Sequence, residues 1–164
     1  MQTDSFVFDP RPNYPLATTA KRYRHPKFFS EDPDALTLIF AHGTGFHKEQ
    51  WEPTIDDLLD ALKRDNPASA PLKIHEIWNL DCANHGDAAI INEAELAWGY
   101  TNVCECHSNV SSCATLMLIL SSVPWHEYAR SIHTFLKGQG TGIPVDFSKR
   151  RLVGVGHSMG AISL

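Results

Sequence analysis

Gly156-His157-Ser158-Met159-Gly160 is the stretch of this chain best suited to do chemistry. It follows an apolar run, Leu152 to Val155, that reads as a strand. G-x-S-x-G after a strand sets the serine on a strained turn into a helix, with positive φ and its oxygen clear of the backbone. Ser158 is therefore the candidate nucleophile. The residues two before and two after it approach each other, so side chains at Gly156 and Gly160 would clash. The N–H of Met159 would open the next helix, where the dipole favours a developing oxyanion. The same five residues also suit a plain strand-ending turn. The strand in front of them favours the nucleophile.

Ala41-His42-Gly43-Thr44-Gly45-Phe46-His47-Lys48-Glu49-Gln50-Trp51 is the second such stretch. A strand ends in His-Gly, a loop of small residues follows, and a helix begins. A loop of this kind supplies the second oxyanion donor in hydrolases with the serine turn above. Glycines let its backbone approach a substrate carbonyl. The Thr44 N–H is the expected donor, with Gly45 close behind. By itself the stretch fits an ordinary glycine turn, and its order relative to Ser158 favours the functional reading.

These elements require a strand before each loop and a helix after it, and the chain supplies them. Ala35 to Gly43 is a compact apolar run ended by glycine, a buried strand. Trp51, Ile55, Leu58, Leu59 and Leu62 repeat at helical spacing, with acids early and Lys63-Arg64 late. Leu72 to Leu80 is a weaker second strand, and Asp81 to Asp87 a polar turn. Ala94 to Tyr100 suggests a short helix. Trp125, Tyr128, Ala129, Ile132 and Leu136 mark another amphipathic helix, ended by Gly138. Arg151 to Gly156 is the third strand. Strand, helix, strand, helix, strand argues for a parallel sheet with right-handed crossover helices on its faces. Residues 1–34 are rich in proline and polar residues, with room for one short strand and then irregular chain. The basic cluster Lys21 to His25 reads as a solvated loop.

The chain resembles the N-terminal portion of an α/β-hydrolase-fold protein. The resemblance rests on LIFAHGTGFHKEQW, DCANHGD and LVGVGHSMGA, and covers roughly residues 35–164. More narrowly, HGTGFHKEQWEP, D…NHGD and WHEYARSI are similar to fungal toxin-biosynthesis-type serine hydrolases. The fold class implied is α/β, a partial hydrolase fold with a mostly parallel sheet. The domain is then residues 35–164 behind an N-terminal segment of 1–34. The resemblance implies attack by Ser158 on an ester, thioester or amide of a small acyl compound. A histidine would accept the proton and a carboxylate would orient it.

In this fold both partners follow the serine in the chain. Six residues follow Ser158, and none is Asp, Glu or His. The expectation is an incomplete and inactive portion of a hydrolase, with the later strands and helices missing and the third strand left as an open edge. His42 and His85 read as oriented loop histidines, and Asp81 and Asp87 as turn residues. The His157 side chain is expected to point away from the serine oxygen. None takes a triad role. An acyltransferase on the same fold and a non-catalytic binding module are the alternatives.

Residues 104–123 fit this scheme poorly. They hold three of the four cysteines. Cys104, Cys106, His107 and Cys113 lack the spacing of structural zinc sites, so no metal is expected. The stretch reads as an inserted loop or as translated intron. Neither metal nor cofactor is called for elsewhere. The net charge of −5 argues against nucleic acid as a partner. The longest apolar run, Ala114 to Leu120, is too short to span a membrane. No apolar leader is visible at the start, so the expected location is cytoplasmic, or peroxisomal for a longer parent protein. The oligomeric state is left open.

Overall fold

The computed structural model describes residues 1–65, 72–96 and 125–164. The stretch expected as an insertion, with Cys104, Cys106, His107 and Cys113, lies outside the described residues, as does most of the short helix expected at 94–100.

Five strands, β1 (Gln2–Phe8), β2 (Thr18–Arg24), β3 (Leu36–Ala41), β4 (Ile74–Leu80) and β5 (Arg151–Gly156), form one sheet in the order β1-β2-β4-β3-β5. Strand β3 pairs in parallel with β4 on one side and β5 on the other. This is the parallel core that the alternating pattern predicts. The two remaining strands, β1 and β2, are an antiparallel pair, and β2 joins β4 antiparallel.

That pair corrects two expectations. Residues 1–34 are not one short strand followed by irregular chain, because they add two seven-residue strands to the sheet. Nor is Lys21 to His25 a solvated loop. Tyr23 is buried within β2. Lys21 Nζ reaches Glu52 Oε1 at 2.6 Å, and Arg22 and Arg24 both reach Asp4 Oδ2, at 2.9 and 3.1 Å. The Arg22 guanidinium lies over the rings of Phe6 and Trp78. Long cationic side chains cover apolar surface with their stems while their heads find carboxylates, so a strand can read as a charged loop.

Alternation along the strands feeds two cores. On one face Leu38, Phe40 and Ile77 pack against Ile55 and Leu59 of α1 (Glu52–Asp65). On the other, Ile39, Trp78 and Leu80 pack against Tyr128, Ile132 and Phe135 of α3 (Trp125–Leu136). Burying each such side chain contributes about 1.5–3 kcal/mol. These apolar faces hold the helices on the sheet and fix the loops at the carboxyl ends of β3, β4 and β5. A short helix α2 (Gly86–Ile91) begins inside the stretch expected as a turn, and α4 (Met159–Ser163) follows β5. Strand β5 forms one edge of the described sheet and β1 the other, with Leu152 and Val153 of β5 each about two-fifths exposed.

Candidate active site

Ser158 sits between β5 and α4 with φ 51° and ψ −117°. Among the described residues no other non-glycine has positive φ. Such geometry costs on the order of 1–3 kcal/mol and persists only where neighbours enforce it. Here the enforcement is close packing. A Cβ on Gly156 would stand 2.5 Å from the Ala161 Cα and N. One on Gly160 would stand 2.1 Å from the Ala41 carbonyl oxygen. The expected clash at both glycines is therefore present. For Gly160 it is with the backbone at the end of β3, not with Gly156. The His157 N–H donates to the Ala41 carbonyl at 3.2 Å and fastens the turn to β3.

Ser158 is exposed, and its hydroxyl has no hydrogen-bond partner among the described residues. Met159 is buried, and its N–H opens α4. A turn closed by the Phe46 N–H to the Gly43 carbonyl, at 3.2 Å, forms the loop after β3. Gly45 at its third position has φ 82°, the pattern of a type II turn. A Cβ on Gly43 would meet His157 Nδ1 at 2.6 Å, so this loop lies directly against the serine turn. Thr44 Oγ1 reaches Met159 Sδ at 3.6 Å. The structure thus brings Thr44, Met159 and the serine turn together. Phe46, half exposed, stands edge-on to the His157 ring.

Gly45 is different. Its N–H donates to His85 Nε2 at 3.1 Å and is not free for a ligand. This corrects the expectation of Gly45 as a second candidate donor. The sequence gives no sign of it, because 40 residues separate the partners.

His42 is wholly buried, an oriented loop histidine as expected. Its Nε2 accepts from the Cys82 N–H at 3.0 Å, so its proton is on Nδ1, which lies 2.8 Å from the Gly43 carbonyl. Burial pushes its pKa down, opposed by the hydrogen bond to Gly43. The Tyr128 hydroxyl donates to the Leu80 carbonyl at 2.9 Å and accepts from the His42 N–H at 3.3 Å. One buried phenol thereby ties α3 to the ends of β3 and β4.

Asp81 is more than a turn residue. It is fully buried and accepts from Thr19 Oγ1, the Lys48 N–H and Lys48 Nζ at 2.7–2.8 Å. Lys48 Nζ also reaches Asp87 at 2.7 Å. Burial disfavours the Lys48 ammonium, but its hydrogen bonds to Asp81 and Asp87 outweigh this and raise its pKa. Sequence reading misses Lys48, since a lysine before a helix ordinarily faces water. No group of histidine, cysteine or acidic side chains among the described residues could hold a metal. No helix among them is long and apolar enough to cross a membrane.

Comparison with known proteins agrees with this architecture. The chain is 32% identical over 127 residues to a type I acyl-CoA thioesterase of Penicillium roqueforti, covering 77% of this chain and 21% of that protein. It is 29% identical over 145 residues to a type I acyl-CoA thioesterase of Penicillium brevicompactum, covering 88% and 25%. It thus spans about a fifth to a quarter of the length of these curated relatives. The crystal structure of the peroxisomal α/β-hydrolase Lpx1 of Saccharomyces cerevisiae superposes with a TM-score of 0.59 at 20% identity, over 99% of this chain and 39% of that one. That likeness is one of fold. The family model described as the alpha/beta hydrolase family matches residues 38–164, and with the serine turn and the loop after β3 in place the chain belongs to that family.

Proposed function

We propose that this chain carries the nucleophile and oxyanion half of a serine hydrolase acting on acyl thioesters. The observation that carries the reading is the positive φ of Ser158, held against the Gly43–Phe46 loop. In this reading Ser158 Oγ attacks the thioester carbonyl and its proton passes to a general base. The N–H groups of Met159 and Thr44 receive the oxyanion. The C–S bond then breaks, and the thiol leaves with that proton. Water hydrolyses the acyl-serine and restores the hydroxyl. Among the described residues no histidine or carboxylate hydrogen-bonds the Ser158 hydroxyl.

Thioesters are preferred over esters and amides because two relatives are named as acyl-CoA thioesterases. The reading places the protein in the cytoplasm, with the peroxisome of the Saccharomyces relative as the second compartment.

The test is thiol release from acyl-CoA and fluorophosphonate labelling by the protein purified from its source cells. Ser158→Ala is expected to abolish both. Labelling or turnover that survives Ser158→Ala overturns the reading.

A further inference from the structure

His85 lies at the start of α2, 40 residues from the loop it touches. Its Nε2 accepts the Gly45 N–H at 3.1 Å. That nitrogen is therefore unprotonated, and the ring proton sits on Nδ1, which lies 2.7 Å from Asn84 Oδ1. The ring packs on His42 with centroids 5.1 Å apart. His42 is in turn fixed by Cys82 and Gly43. One end of the turn is thus anchored through the His42 ring, and its third residue through His85. Within the turn, the Phe46 N–H closes onto Gly43. Gly43 and Thr44 are left as the turn residues whose N–H groups have no partner among the described residues.

We propose that His85 is a positioning residue for the serine site: by taking the Gly45 amide it fixes the turn that holds the Thr44 amide beside Met159. The inference rests on the hydrolase reading for its purpose, but not for its geometry. Protonation of Nε2 removes the acceptor and releases the Gly45 amide, so the arrangement belongs to the neutral ring. Burial pushes the His85 pKa down, with the Asp81 carboxylate acting in the opposite sense. The other titratable groups of this region are His42, whose ring packs on it, His47 in the loop of Gly45, which acts on His42, and Lys48, which bridges Asp81 and Asp87.

The test is a proton titration of the isotopically labelled chain by NMR, from about pH 8 to about pH 5, across the range where imidazoles titrate. The Gly45 amide is expected to shift with the midpoint of the His85 ring, and the His85 nitrogens to report the Nδ1–H tautomer at the alkaline end. In His85→Gln the side-chain oxygen can accept the same amide without titrating, and the Gly45 response is expected to vanish. A Gly45 amide that ignores the His85 titration, or that still titrates in His85→Gln, overturns the proposal. The wild-type titration alone decides it if a variant fails to fold. In the protein from its source, His85→Leu is expected to lower kcat about tenfold with KM unchanged, and His85→Gln to restore most of it. A Gly45 amide that tracks His85 in a protein whose Ser158 does not react leaves the positioning role standing and removes the hydrolase reading.

Discussion

Gly160 lies so close to the end of β3 that a Cβ on it would stand 2.1 Å from the Ala41 carbonyl oxygen. Backbone meets backbone here, so no side chain can swing aside. Gly160→Ala is expected to cost about 3 kcal/mol, at the upper end of overpacking. Gly138 is the control. It has φ 63° and a Cβ there would meet nothing within 4 Å, so Gly138→Ala is limited to the left-handed penalty of about 1–2 kcal/mol. Urea denaturation of both variants checks the difference. Equal losses would show that the serine turn is not held by this contact.

Lys48 and Asp81 form a buried ion pair at 2.8 Å that ties the loop after β3 to the end of β4. Breaking one side leaves the other charge buried without its partner, which costs about 3–5 kcal/mol. Lys48→Met is expected to fall in that range. The double variant with Asp81→Asn is expected to recover a substantial part, since no uncompensated carboxylate remains. Chemical denaturation of the cycle of variants measures the coupling, and additive losses would remove it.

These contacts mark the limit of what the sequence makes legible. Strands β3 and β5 and helices α1 and α3 follow from apolar runs and helical spacing. The positions of Gly156, Gly160 and Ser158 follow from one local motif. Strand β2 is hidden because Lys21, Arg22 and Arg24 are spent on pairing with Glu52 and Asp4, and only Tyr23 and the small residues face the core. The pairings of His85 with Gly45 and of Lys48 with Asp81 join residues 33 to 40 positions apart. No periodicity records such pairs, because each is made only when two loops meet above the sheet.

His42 gives the fold a pH dependence of definite sign. Its Nε2 must stay unprotonated to accept the Cys82 N–H, and burial lowers its pKa below the ordinary 6.5. In the window between the two values the unfolded chain binds more protons than the folded one, so stability rises with pH. The His42 contribution is fully present above the unfolded value of 6.5 and is lost as pH falls through the lowered folded value. His85, also lowered by burial, acts in the same direction. The thermal midpoint is expected to drop between about pH 7 and about pH 5, and His42→Gln to flatten that slope while lowering stability at neutral pH. A His42→Gln profile parallel to the wild type would exclude His42 as the source.

Thr44 allows its backbone N–H to be tested separately from its side chain. It occupies the second position of a turn whose third residue, Gly45, has φ 82°. Proline is at home at that position of a type II turn, where its fixed φ suits the backbone. Thr44→Pro therefore deletes the amide and leaves the turn in place. Thr44→Val keeps the amide and deletes only the hydroxyl contact to Met159 Sδ. If the Thr44 N–H receives the oxyanion, Thr44→Pro lowers kcat of the protein purified from its source by about 10²–10³-fold with little change in KM, as for loss of one such donor. Thr44→Val is expected to stay within a few fold of wild type, because one weak contact to sulfur is all it loses. The two variants diverge only if the amide matters, and a Thr44→Pro protein that is folded and fully active would assign the second oxyanion donor to another residue.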